Sequence, residues 1–139
     1  MTMLRSREER EARIAPTTVH TFNPTAIIQR LRSEPEYQSN GRNGMTLAKT
    51  SDLRVLLEVL SEGAALAEHT APGPITLQVL EGELRFQAGE DVIYVRAGEL
   101  ISLPIRERHS VEALRESAFL LTIAPEEGRK AGCGGGCKH

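Results

Sequence analysis

Two histidines and a C-terminal cysteine pair are the residues of this chain best suited to bind a metal ion. His69 follows a run of small residues in GAALAEHTAPG, and His109 opens the apolar stretch HSVEAL. Cys133, Cys137 and His139 lie together in the final segment GCGGGCKH. Imidazole and thiolate groups are ligands for divalent transition metals, so each of these two groups is a candidate metal site.

The C-terminal group has the pattern Cys-x3-Cys-x-His, which supplies three ligands where a closed zinc site usually has four. Glycines surround it, so this tail is not expected to fold by itself. Two interpretations stay open for Cys133, Cys137 and His139: a separate metal or redox site, or exposed thiols that simply oxidise. The chain has no other cysteine, so no disulfide framework is expected to hold its body together.

Composition limits the classes of function. The 139 residues are 40% apolar and 26% charged, which is typical of one soluble globular domain. The net charge is −2 with both signs interspersed, so we expect neither a nucleic acid nor a membrane surface as partner. The N-terminal MTMLRSREEREAR is charged where a signal peptide is apolar, and AFLLTIA is too short to cross a bilayer. These features predict a cytoplasmic protein.

One short helix and many strands are expected to position the histidines. Asn23 followed by Pro24 is typical of a helix start, and Pro35 ends that helix, with residues 38–44 as a turn or loop. After it, alternating apolar runs separated by glycine, proline and acidic residues predict nine strands. The predicted strands are 45–49, 53–60, 64–69, 75–80, 83–88, 91–95, 99–103, 109–114 and 117–123.

Short strands with tight turns and no helices between them predict an all-β fold, an antiparallel jelly-roll β-barrel with a short N-terminal helical segment. The predicted segments are an N-terminal arm at 1–22, a helix and loop at 23–43, the barrel at 44–124 and a flexible tail at 125–139.

Alternation along each strand predicts which side chains face the barrel interior. It places Arg54 and Glu58 outside, and it places His69 on the same face as Ala65 and Ala67. The predicted inward set is Leu53, Val55, Leu57, Val59, Leu84, Phe86, His109, Val111 and Ala113.

Two inward histidines from different strands are suited to share one divalent ion, provided that a third donor completes the site. The alternative is that each is a core histidine whose ring nitrogens bond to the backbone. His20, in the N-terminal arm, is interpreted as an ordinary surface residue.

The spacing of these histidines resembles the two sequence motifs of the cupin superfamily. GAALAEHTAPGPITLQVLEG resembles G-x5-H-x-H-x3-E-x6-G, and GELISLPIRERHS resembles G-x5-P-x-G-x2-H-x3-N. The residues in register are Gly63, His69, Gly82, Gly98, Pro104 and His109. The resemblance covers about residues 44–124 and implies a jelly-roll barrel with His69 and His109 turned inward.

The chain departs from the family pattern at the other ligand positions. Ala71 stands where the family has its second histidine, and Ile75 stands where it has a glutamate. Arg106 and Ala113 replace the glycine and asparagine of the second motif. Half of the usual four-ligand site is therefore absent. The resemblance still implies a divalent transition metal as a possible cofactor, with Zn, Fe, Mn, Ni and Cu not distinguished.

Three functions remain open at this point. The first is a stand-alone small cupin that binds a divalent metal or a small molecule through His69 and His109. The second is a metal-dependent enzyme of the oxygenase or isomerase type, and the third is a sensor or interaction protein that works through its cysteine tail. Leu56, Leu60 and Leu80 are predicted to face outward, which is compatible with the contact of a homodimer.

Overall fold

The computed structural model describes residues 19–104 and 106–126. The tail group Cys133, Cys137 and His139 lies outside the described residues, as do residues 1–18 of the N-terminal arm. Two helices precede the strands: α1 at Pro24–Ser33 and α2 at Pro35–Asn40. The strands are β1 Arg42–Lys49, β2 Arg54–Leu60, β3 Ala65–His69, β4 Ile75–Glu81, β5 Glu83–Ala88, β6 Asp91–Arg96, β7 Leu100–Leu103, β8 His109–Ala113 and β9 Ser117–Ile123.

Helix α1 begins and ends as its sequence predicts. The side chain of Asn23 accepts a hydrogen bond from the backbone N–H of Ala26 at 3.2 Å, and Pro24 occupies the first helical position. Residues 38–44 are not a turn throughout, because α2 continues to Asn40. Gly41, at φ 74°, then reverses the chain directly into β1.

The strands form two antiparallel sheets that face each other. The first sheet has the order β1-β2-β9-β4-β7, and the second has the order β3-β8-β5-β6. This arrangement confirms the all-β jelly-roll prediction. Each of the nine predicted strands is found, and their ends agree within one residue except at β1, which begins three residues before the predicted start. No helix within 19–104 and 106–126 is both long and apolar enough to cross a membrane.

Apolar side chains cover both faces of the first sheet. One cluster fills the space between the sheets and includes Leu60, Ile75, Leu77, Val79, Leu84, Phe86, Val111 and Phe119. A second cluster packs α1, through Ile28 and Leu31, onto the outer face of the first sheet. Strand β2 therefore lies between two apolar layers.

This packing overturns the predicted orientation of β2. Leu57 and Val59 face α1, whereas Leu56 and Leu60 face the barrel interior. The register with β9 places Arg54 and Glu58 on the interior face as well, and Leu53 is exposed before the strand begins. Alternation indicated the wrong face, because the interior face carries two charged residues while the fully apolar face of this strand is covered by α1.

The three leucines considered for a dimer contact are covered by the protein's own packing. Leu60 is completely buried, Leu56 packs against the interior cluster, and Leu80 packs against the cluster beneath α1. These three leucines do not form an exposed apolar surface.

The connections between strands gather at two ends of the barrel. Residues 70–74, and residues 104 and 106–108 of the other connection, lie between the sheets at one end, next to the β5–β6 turn. We call this the histidine end. The turns around Gly82, 97–99 and 114–116 lie at the other end, which we call the arginine end.

Candidate functional site

A β-bulge places His69 on the inner face of the second sheet. Leu66 pairs with Val111, but the next pair in β3 and β8 is His69 with His109, so the register shifts between them. His69 therefore shares its face with Leu66, which packs on the interior cluster, although His69 itself, at the end of the strand, is exposed like Ala65 and Ala67. The predicted grouping with those alanines is wrong, because the bulge adds a residue that alternation does not count.

His109 begins β8 and lies deeper in the barrel. It is only 4% exposed, and its strand neighbours Val111 and Ala113 are buried on the same face, as predicted. The ring of Phe86 stacks on it at a centroid distance of 5.5 Å and an interplanar angle of 15°. His109 therefore has an apolar wall on one side and His69 beside it.

The two imidazole rings are direct neighbours. Their centroids are 4.4 Å apart and the rings meet edge to face at 62°. In each ring Nδ1 lies close to the backbone oxygen two residues before it: His69 to Ala67 at 2.7 Å, and His109 to Glu107 at 3.1 Å. A carbonyl oxygen can only accept, so Nδ1 carries the proton in both rings. In each ring Nε2 is the nitrogen that is not bonded to the backbone, and a neutral histidine held in this way ligates a metal through that nitrogen.

Electrostatics keep His109 in this neutral form. Burial away from water is the main reason that its pKa is lowered from the ordinary 6.5. The hydrogen bond with the Glu107 carbonyl opposes this change, and the neighbouring His69 adds a smaller lowering. The ring is therefore uncharged at neutral pH, and its Nε2 is available as a ligand.

The two positions at which the cupin resemblance places further ligands hold buried apolar side chains. Ala71 and Ile75 both belong to the interior cluster, at 9% and 3% exposure. They reach this cluster through the crossing segment 70–74, in which Pro72 accepts a hydrogen bond from Arg106 Nη2 at 2.9 Å. The histidine pair thus adjoins an apolar floor instead of additional ligands.

No third ligand accompanies the pair within residues 19–104 and 106–126, where His, Cys, Asp and Glu side chains form no group of three able to hold a metal. The neighbouring Glu68 is engaged elsewhere, because it forms an ion pair with Arg108 at 3.4 Å. His20 is far from the pair in sequence and stacks with Phe22 instead.

Two residues at the histidine end, Phe86 and Arg106, make contacts that the sequence did not predict. Phe86 was predicted to face inward, but nothing in its spacing indicated that it would stack on His109. Arg106 was seen only as a departure from a motif. It bonds to Pro72 of the other crossing segment and pairs with Glu126 at 3.4 Å, so it joins three parts of the chain around the histidine end.

The arginine end carries a different kind of site. A cavity of about 460 Å³ lies there, lined by Gly82, Glu83, Arg96, Ala97 and Arg115. Both arginines pair with the same carboxylate, Glu83, at 3.8 Å and 3.6 Å. The lining therefore carries two guanidinium groups and one carboxylate, which leaves one net positive charge.

A second ion-pair group at this end joins α1 and α2 to the barrel. Arg32 bridges Glu81 at 2.9 Å and Glu116 at 3.4 Å, and the hydroxyl of Tyr37 donates to Glu116 at 2.7 Å. Burial, followed by the hydrogen bond to Glu116 and the charge of that residue, raises the pKa of Tyr37 to about 12.

Several solved structures are similar to this chain. The chain is similar to an RmlC-like cupin protein from Desulfovibrio desulfuricans, with 23% identity and a TM-score of 0.62 over 78% of this chain and 98% of that one. It is similar to a cupin 2 conserved barrel domain protein from Leptotrichia buccalis, with 30% identity and a TM-score of 0.59 over 64% of this chain and 43% of that one.

A third similar structure belongs to an enzyme, a salicylate 1,2-dioxygenase from Pseudaminobacter salicylatoxidans. The identity is 14% and the TM-score is 0.67, over 79% of this chain and 36% of the dioxygenase. A scan against protein-family models and a search of curated proteins each find no match to this chain. The similarity is therefore one of fold, and the chemistry must be argued from the residues.

Proposed function

Because the chain has the fold of the cupin superfamily, we propose that its barrel binds one divalent transition metal ion through Nε2 of His69 and Nε2 of His109. Water or a small ligand occupies the remaining coordination positions. In this proposal the protein is a small metal-binding module whose ion is exchangeable and open to a small molecule from solution.

The observation that carries the proposal is the pair of anchored imidazoles. Both Nδ1 atoms are committed to backbone carbonyls, so both rings are fixed in orientation and Nε2 is the nitrogen of each ring not bonded to the backbone. The ring centroids are 4.4 Å apart, and the proposed divalent ion takes Nε2 of each ring as a ligand. A backbone carbonyl bonded to the distal nitrogen is also the usual support of a metal-ligating histidine.

The surroundings favour weak binding. Ala71 and Ile75 offer no donor atoms, so the protein supplies two ligands where catalytic zinc sites usually have three. Such an ion would act as a Lewis acid toward a small ligand that completes its coordination. The apolar floor beside it favours a ligand with a polar group at the metal and a compact apolar body.

The experiment is a calorimetric titration of the full chain with Zn²⁺, Ni²⁺ and Co²⁺. To remove any contribution from the tail, the protein carries Cys133→Ser, Cys137→Ser and His139→Gln. The variants His69→Ala and His109→Ala are compared with the matched control His20→Ala, which changes a histidine outside the pair.

We expect one ion per chain, a loss of binding of at least tenfold in either site variant, and no change in His20→Ala. A site variant that binds as tightly as the parent would contradict the proposal, provided that its thermal unfolding shows that it is folded. Binding that disappears once the tail residues are replaced would assign the metal to the tail instead.

A further inference from the structure

Strand β6, at the edge of the second sheet, is unusually apolar for a free edge. Val92, Ile93 and Tyr94 are 41%, 43% and 57% exposed, and they follow one another along the chain. The strand has β5 as its only hydrogen-bonded neighbour within the described residues. Edge strands are usually protected by lysine, proline or a bulge, and Asp91–Arg96 contains none of these.

Backbone hydrogen bonds show which residues point to the free edge. The N–H of Ala97 donates to the carbonyl of Gly82 at 3.2 Å, and the same register continues through the β5–β6 pairs. Odd-numbered residues of β6 therefore bond to β5, and even-numbered residues point outward. The outward N–H of Arg96 is already bound by the Glu99 carboxylate at 2.8 Å. Val92 and Tyr94 remain as the outward pair.

We propose that this edge binds a second copy of the chain, with the two β6 strands antiparallel about a twofold axis through Ile93. The residues that point outward all have even numbers, so the axis must pass through a residue and not between two residues. With the axis at Ile93, Val92 of each copy lies opposite Tyr94 of the other. These two hydrogen-bonded pairs form four backbone hydrogen bonds and join the sheets of both copies into one of eight strands.

In this register the side chains of the two β6 strands are complementary. Tyr94 meets Val92 of the second copy on the outer face, an aromatic and β-branched pair that stabilises sheets. The two copies of Ile93 meet on the inner face. Glu90 lies opposite Arg96 of the second copy at both ends of the ladder, so opposite charges pair twice. An axis at Tyr94 would instead place Val92 against Arg96, whose N–H is already used, and an axis at Val92 would place Glu90 against Tyr94.

The self-complementary charges are the reason for choosing a second copy over another protein, since twofold symmetry makes each Glu90 face an Arg96. The inference does not depend on metal binding at the histidine end. It places the dimer contact on an exposed edge, whereas the three leucines considered from the sequence are covered.

Light scattering coupled to size-exclusion chromatography tests the proposal on the full chain over a broad range of concentrations. We expect a dimer that becomes monomeric in Ile93→Lys, which places two ammonium groups on the axis. Val92→Pro should do the same, because it removes an outward N–H and leaves the bonds to β5 intact. The control Leu100→Lys, which changes an exposed leucine on the neighbouring edge strand β7, should remain dimeric.

Charge reversal and cross-linking test the register. Arg96→Glu should weaken the dimer at least tenfold, and the double variant Glu90→Arg/Arg96→Glu should restore it. In a chain with Cys133→Ser and Cys137→Ser, Ile93→Cys should form a disulfide-linked dimer with oxidised glutathione, because paired residues at this kind of position have Cα atoms about 4.5 Å apart. Tyr94→Cys, which faces Val92, should not.

Three results would overturn the proposal. The first is a protein that stays monomeric at every concentration, and the second is a dimer that Ile93→Lys leaves intact. The third is a chain that dimerises only after residues 1–18 or 127–139 are removed, because that result would assign the edge to one of the chain's own segments.

Discussion

The two ends of the barrel differ in the polar groups that they bring together. At the arginine end, Arg96 and Arg115 share Glu83 and line an open cavity of about 460 Å³. At the histidine end, two imidazoles lie side by side, each with Nδ1 bonded to a backbone carbonyl, and Phe86 stacks on His109. Two arginines share one carboxylate at one end, whereas the other end holds two imidazoles that we propose as metal ligands.

If the proposed metal binding holds, the functional end is not the one with the larger cavity. Exposed ion pairs like those at the arginine end contribute little to stability. The histidine pair is small, but the orientation of its rings is fixed by specific contacts with Ala67, Glu107 and Phe86. The predictions below test whether the two ends differ in this way.

The largest expected effect is on the free energy of unfolding, through Phe86, whose ring stacks on His109. Phe86→Ala should lower the free energy of unfolding by about 3–5 kcal/mol, because it removes a fully buried ring from the interior cluster. The pKa of His109, followed by NMR titration, should rise toward 6.5 as water reaches its ring. Phe86→Leu serves as the control and should cost less stability. An unchanged pKa in Phe86→Ala would show that this ring does not shield His109.

A third metal ligand added at the histidine end should raise the metal affinity, whereas one added at the arginine end should not. Ala71→His places an imidazole at the position where the cupin resemblance expects one, so metal affinity measured by calorimetry should rise roughly tenfold or more, about 1.4 kcal/mol. The matched control is Ala97→His, which adds a histidine to the cavity at the arginine end and should leave the affinity unchanged. Equal gains in both variants would mean that the location of the histidine pair is not what matters.

Lowering the pH should lower the free energy of unfolding through the protonation of His109. The unfolded chain protonates His109 at its ordinary pKa of 6.5, but the folded chain does so only at lower pH. Between these values the unfolded state binds more protons, so the free energy of unfolding falls as the pH drops below 6.5, and the loss is complete below the folded pKa. Urea unfolding of metal-free protein from pH 8 to pH 5 measures this slope. His109→Gln should have a shallower slope, and an equal slope would assign the acid sensitivity to other groups.

The smallest effect is expected at the arginine end. Arg115→Ala should change the free energy of unfolding by less than about 1 kcal/mol, because its ion pair with Glu83 is exposed. Metal affinity should not change. A large loss of stability or of metal binding in thermal and calorimetric assays would show that the two ends are coupled.

The positions of the strands along the chain were predicted well because the breaks between strands are local signals. Glycine, proline and acidic residues end each run, and these residues favour turns wherever they occur. The cap of α1 was predictable for the same reason, since Asn23 and Pro24 act within one turn of the helix. The inward position of His109 followed from simple alternation with Val111.

Features that depend on tertiary packing could not be predicted. The orientation of β2 follows from the docking of α1 on its outer face, and no local pattern reports where a helix docks. The bulge before His69 is a property of the pairing between β3 and β8, which involves residues 40 or more positions apart. The stacking of Phe86 on His109 depends on the pairing of β5 with β8.

The most direct test of the central claim is the metal content of untagged protein by inductively coupled plasma mass spectrometry. Three proteins are compared: the natural chain, the double variant His69→Ala/His109→Ala, and a chain that ends at Lys130. We predict near-stoichiometric divalent metal in the natural and shortened chains and its loss in the double variant. Metal that survives the double substitution, or that disappears with the tail alone, would contradict a metal site at the histidine end.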